Sequence, residues 1–135
     1  MKNRTLVPVF TGLGLSLVAS SGLTHHAFSA QFDAEKPITL IGTVTRIEWQ
    51  NPHAWFYIDV EDESGNVSNW GMELASPNLL LRRGWTRSSM MVGDAVSVEG
   101  FQARDGSNTG NARVVTLTAT GQSLSMGSNV ARREP

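Results

Sequence analysis

The chain has 135 residues, with 11 basic and 12 acidic side chains, 40% hydrophobic residues and no cysteine. A chain of this length carries one modest core, and it lacks the basic excess that tight nucleic-acid binding uses, so composition predicts no nucleic-acid partner. Without cysteine there is neither a disulfide framework nor a thiolate metal site, which leaves the three histidines as the ligands suited to a borderline metal.

Met1 to Thr24 reads as a secretory signal: Lys2 and Arg4 give a positive start, and Leu6 to Ala19 is apolar with breaks at Pro8, Gly12 and Gly14. The apolar run falls short of the about 20 residues that a spanning helix uses. Residues 1–24 are therefore expected to be removed, leaving no stable membrane anchor and a product that is periplasmic or secreted. Loss of Lys2 and Arg4 takes the 11 basic residues to 9 against 12 acidic ones, a net charge of about −3.

His25 and His26 follow directly on this segment, and the cleaved bond decides what they can do. A cut after Gly22 gives the terminus Leu23-Thr24-His25, whose amine, two amides and imidazole can surround Cu(II) or Ni(II) in a square plane. A cut after Thr24 makes His25 terminal, so that its amine and imidazole chelate together with His26 or His53 as a further ligand. The bland alternative is a solvated terminus that binds nothing.

From Ile38 onward, short β-branched and aromatic runs alternate with turn residues, the pattern of an antiparallel β domain. The first run, Ile38 to Trp49, changes apolar parity at Thr45-Arg46 and so predicts a bulge in a bent strand. In the second, Ala54, Phe56, Ile58 and Val60 share one face, and Trp55, Tyr57 and Asp59 the other. An acidic, turn-rich stretch, Glu61 to Asn66, leads to a third strand, Val67 to Leu74, with Trp70, Met72 and Leu74 as its apolar set.

Ser76 and Pro77 then supply an N-cap and a first helical residue, Leu79-Leu80-Leu81 a buried turn, and Gly84 a stop after Arg82 and Arg83. A fourth strand runs from Ala95 to Ala103 with Val96 and Val98 inward, and a fifth from Ala112 to Thr118. Three strands, a short helix and two strands predict a mainly β fold, a small five-stranded barrel of the oligonucleotide/oligosaccharide-binding (OB) type with one helix between strands 3 and 4. A small open β-sandwich would give a similar string. Residues 25–118 are thus read as one domain, and 119–135, poor in periodicity and rich in small polar residues, as a disordered tail.

His25-His26-Ala27-Phe28, Phe32-Asp33, Gly42-Thr43-Val44, Glu48-Trp49, Asn51-Pro52-His53, Ser76-Pro77-Asn78, Arg82-Arg83-Gly84-Trp85 and Asp105-Gly106 occur in order over roughly residues 24–118. In these blocks the chain resembles a family of small exported bacterial proteins known as a domain of unknown function, of the DUF6152 type. The resemblance implies membership and export, and no activity, ligand or catalytic residue. Thr24 stands where the family pattern has alanine, which leaves the cleavage bond open.

The chemistry-bearing residues cluster at one strand corner. Glu48, Trp49, Asn51, His53 and Trp55 would bring a titratable pair beside aromatic walls, which suits a small ligand or sugar. The plainer account has Pro52 making a rigid turn, His53 bonding a carbonyl or Glu48, and at least two of Trp49, Trp55, Trp70 and Trp85 in the core. Arg82 and Arg83 complement the helix dipole, and Asp33 and Glu35 are placed to pair with Arg46 or Arg104 at the surface.

Three functions fit. A non-enzymatic exported module binding an unknown small ligand near Asn51 to Trp55 leads. A periplasmic copper-binding protein using the mature amino terminus and His25, His26 and His53 is second. A small enzyme with a His53/Glu48 acid-base pair comes last, because Ser76 and Ser107 lack any local signature of an activated nucleophile.

Overall fold

The computed structural model describes residues 28–125. After one helical turn over residues 28–31, the strands are β1 (Phe32–Glu48), β2 (Trp55–Glu61), β3 (Val67–Glu73), β4 (Ala95–Ala103), β5 (Thr109–Leu117) and β6 (Ser123–Ser125), with the helix α1 (Pro77–Arg82) between β3 and β4. The sheet order is β3-β2-β1-β4-β5-β6, and a parallel pairing of β3 with β5 closes the first five strands into a ring. The expected five-stranded OB-like barrel is the observed fold.

β1 makes the closure possible. Its 17 residues pair with β4 from Phe32 to Thr43 and with β2 from Thr43 to Glu48, so one strand serves both halves of the ring. The register with β2 shifts between Val44 and Arg46, where the parity of the sequence changes, and the shift carries the bend. Gly42 sits just before it, where an added Cβ would stand 2.4 Å from the Asp59 carbonyl oxygen. Only a residue without a side chain lets the two backbones approach this closely.

The inward faces follow the alternation of the sequence. Val44, Phe56, Ile58, Met72, Val96, Val98, Ala112 and Val115 fill the barrel, and Leu80, Trp85 and Met90 join the same core from the segment between β3 and β4. Helix α1 starts as expected: Ser76 Oγ accepts a hydrogen bond from Leu79 N at 3.4 Å, with proline at the first turn. Its leucines differ from the expected buried turn. Leu80 is fully buried, Leu79 half-buried and Leu81 54% exposed, because six residues of helix can turn only one leucine onto the core.

The expectation of a disordered tail from residue 119 is corrected over its described part. Ser123–Ser125 pair antiparallel with Val114 to Thr116, and Leu124 is buried in the core. A three-residue strand with a single apolar side chain is too short to show periodicity. Residues 126–135 lie outside the described residues, as do 1–24, His25 and His26.

Candidate binding face around His53

The outward face of the barrel carries one row of residues fixed by register. Glu48 on β1 faces Trp55 on β2, Trp55 faces Glu73 on β3, Glu73 faces Asn111 on β5, and Asn111 faces Phe101 on β4. One step along, Arg46 faces Tyr57 and Tyr57 faces Gly71. The Arg46 guanidinium lies 3.8 Å from the Tyr57 ring centre, and a Cβ on Gly71 would stand 3.1 Å from the same ring. Tyr57 therefore stands between a cation on β1 and a bare backbone on β3, with Trp55 beside it.

The loop from β1 to β2 borders this face at one side. Its Asn51–Pro52 peptide bond is cis, and its last residue, Ala54, is buried and tied by backbone hydrogen bonds to Leu74 and Ala75. The loop from β4 to β5 lies alongside, since Gly71 N donates to the Asn108 carbonyl at 3.0 Å. Asp105 braces that loop, its carboxyl held below the usual range by hydrogen bonds from Ser107.

His53 does not meet Glu48. Its Nδ1 pairs instead with Glu73 Oε1, and Glu73 is the one charged side chain buried among the described residues. Burial pushes the Glu73 carboxyl above its ordinary pKa, and the contact with His53 draws it part of the way back. Glu48 is occupied elsewhere: it pairs with Arg46 at 3.1 Å and accepts from the Tyr57 hydroxyl and from Gln50 Nε2, both at 3.4 Å.

The other expected site residues divide. Trp55 is on the face, and Asn51 is exposed in the bordering loop. Trp49 turns toward the core, half-buried, with the Arg87 guanidinium 5.6 Å from its ring. Of the four tryptophans Trp85 is fully buried, and Trp70 packs against the core as Trp49 does. Arg46 pairs with Glu48 rather than with Asp33 or Glu35, and Asp33 Oδ1 accepts from Glu35 N. Arg104 Nε donates to the Ser29 carbonyl.

Sequence reasoning missed Glu73, Tyr57 and Arg46 as members of the face. The signal for Glu73 was its position between the inward Met72 and Leu74, which turns it outward beside Trp55. A groove of about 420 Å³ lined by Ser88, Met91, Asp94, Leu117 and Gln122 includes none of these residues. Among the described residues no three histidine, aspartate or glutamate side chains come together to hold a metal ion, and no helix is long and apolar enough to cross a membrane.

A closed five-stranded barrel with an aromatic outward face between these two loops defines a β domain of the OB type. The chain belongs to the family of unknown function DUF6152, whose model matches residues 14–112. No curated protein matches it. Among solved structures it is similar to the dimeric N-terminal domain of PriB protein from Thermoanaerobacter tencongensis. The two are 20% identical over 62% of this chain and 97% of that chain, with a TM-score of 0.44.

This fold corrects the exclusion of nucleic acid made from composition. Closed five-stranded barrels of the OB type include oligonucleotide binders. Single strands are held by stacking platforms and local grooves as well as by charge, so a small net negative charge excludes no such partner.

Proposed function

We propose that the chain is an exported binding module, a single domain that includes β6 as well as the ring, and that it takes a small ligand bearing a ring on the outward face of β2 and β3. The observation that carries this reading is the pairing of Trp55 and Tyr57 on that face, where Gly71 keeps β3 bare beside the Tyr57 ring. Bases and aromatic side chains stack flat on such surfaces, and sugars lay an apolar face of C–H groups against them. Glu48, Asn51 and His53 supply a polar fringe for orientation. The His53/Glu48 acid-base pair that a small enzyme would use is not formed, since Glu48 is held by Arg46 and Tyr57. Export is supported by Lys2, Arg4 and the apolar run that follows them.

Titration followed by tryptophan fluorescence tests the reading, using a panel of oligosaccharides, nucleosides, short single-stranded oligonucleotides and aromatic peptides. A saturable response to one class is expected, weakened about tenfold or more in Trp55→Ala, since one stacked ring is worth about 1–3 kcal/mol. A response unchanged in Trp55→Ala, or none across the panel, would sink it. Intact mass of the exported product tests the leader: a chain still carrying Met1 to Thr24 argues against export by cleavage.

A further inference from the structure

We propose that the ring taken by the outward face is a sugar: a neutral saccharide laid on Trp55, with its hydroxyls held by His53, Asn111 and Glu48. This inference rests on the ring-binding reading above and narrows it to one class of ligand. Ala54 N donates to the Ala75 carbonyl at 3.1 Å and the Ala54 carbonyl accepts from Leu74 N at 2.9 Å, which carries the β2–β3 ladder past Trp55. Ala54 is buried, so its neighbours His53 and Trp55 turn outward together. Glu73 joins them, since it faces Trp55 in the register and meets His53 Nδ1 through Oε1.

That contact fixes the imidazole. Nδ1 carries the proton that Glu73 accepts, so in the neutral ring Nε2 keeps its lone pair. Glu73 is buried and the His53 side chain is half exposed, which anchors the ring at its inner nitrogen and leaves the other open. Asn111 comes next along the row, facing Glu73 from β5. It is half-buried, and its side-chain amide has no hydrogen-bond partner among the described residues. Two N–H donors and a carbonyl are therefore free beside His53.

Glu48 flanks Trp55 on the opposite side, from β1. It accepts from Arg46 at 3.1 Å and from Tyr57 and Gln50 at 3.4 Å. A carboxylate offers about four acceptor positions, so these contacts leave it one. Between the flanks, a Cβ on Gly71 would stand 3.1 Å from the Tyr57 ring and 3.9 Å from the Trp55 ring, and the bare glycine opens onto both.

The polar groups around Trp55 are thus a lone pair, an amide and a carboxylate. Arg46, the cation of this face, is already engaged by Glu48 and by the Tyr57 ring at 3.8 Å. Hydroxyls match such a fringe, because each can donate to the imidazole or carboxylate and accept from the amide. A pyranose carries several of them around its edge and presents C–H groups to an aromatic ring. A phosphate or carboxylate on the ligand would instead face Glu48 with its neighbouring guanidinium occupied.

Calorimetric titration of the full chain with neutral oligosaccharides, nucleosides and short single-stranded oligonucleotides tests the assignment. At least one neutral oligosaccharide is expected to bind, with an affinity that changes less than about twofold between low and high salt. Trp55→Ala should weaken it about tenfold or more. His53→Asn and Asn111→Ala should each weaken it roughly three- to tenfold. Asparagine places an amide where Nδ1 stood, so the buried Glu73 stays paired while the acceptor at Nε2 is gone. Should His53→Asn fail to fold, Asn111→Ala decides, since it removes no hydrogen bond of the protein. Saccharide binding unchanged in the fringe variants overturns the proposal. Binding of nucleosides or oligonucleotides alone, lost in Trp55→Ala, overturns the sugar and leaves ring binding standing. Saccharide binding unchanged in Trp55→Ala, or no binding across the panel, overturns both.

Discussion

At the scale of single residues, two glycines on the same strand system do different things, and contact distances separate them. At Gly42 an added Cβ would collide with the Asp59 carbonyl at 2.4 Å, an atom fixed in the β1–β2 ladder. At Gly71 the Cβ would press on the Tyr57 ring at 3.1 Å, the end of a side chain that can tilt by a few tenths of an ångström. Gly42→Ala is therefore expected to destabilise the fold by about 1–3 kcal/mol. Gly71→Ala should stay within about 0.5 kcal/mol of wild type in stability while changing the response of the aromatic face to ligand. Thermal unfolding of both variants decides: equal losses would mean that Tyr57 is as rigid as the backbone. His53, Trp55 and Glu48 were legible in the sequence because a proline turn and a strict alternation place them without tertiary information. Glu73 as the partner of His53 was not, since that pairing depends on the register between β2 and β3.

Among the elements, strongly alternating ones were read nearly to the residue. β4 has the expected bounds, Ala95–Ala103, and the bulge in β1 falls where the apolar parity changes. The first part of β1 was missed because Asp33-Ala34-Glu35-Lys36-Pro37 has no apolar alternation. It is largely exposed, and the β1–β4 register slips between Phe32 and Pro37. The hairpin joining β2 to β3 carries a test of its own. Asp62 Oδ1 accepts from Ser64 N at 2.8 Å and from Asn66 N at 2.9 Å, and the hydrogen bonds from Asn66 above all hold its carboxyl below the ordinary 3.8. A carboxyl lowered on folding adds stability above its unfolded pKa and loses it as pH falls through the folded value. Asp62→Ala should then melt below wild type near pH 7, with the gap closing below about pH 4. A gap of constant size from pH 7 to pH 2.5 would show that the turn, and not the charge, is what the aspartate supports.

For the whole molecule, the weak point of the ring is its closure. β3 and β5 share only the pairs Gly71 with Thr109, Met72 with Gly110 and Glu73 with Asn111, after which β5 continues beyond β3. β6 pairs with β5 over Val114 to Thr116, and Leu124 enters the core beside Val115. The link is reinforced by Leu117 N donating to Gln122 O at 2.9 Å and by the hydroxyls of Thr116 and Ser123 at 3.0 Å. Burying one leucine is worth about 1.5–3 kcal/mol, a large share of the stability of a barrel this small. Ending the chain at Thr118 is accordingly expected to cost about 2–3 kcal/mol and to lower the melting temperature by roughly 10–20 °C. Leu124→Ala should account for most of that loss by itself, because the apolar side chain and not the three-residue ladder supplies the burial. Circular dichroism melts of the two variants make the comparison. A shortened chain that melts with wild type would restore the disordered reading of residues 119–125, while a large loss on shortening with none for Leu124→Ala would assign the stabilisation to the backbone hydrogen bonds of β6.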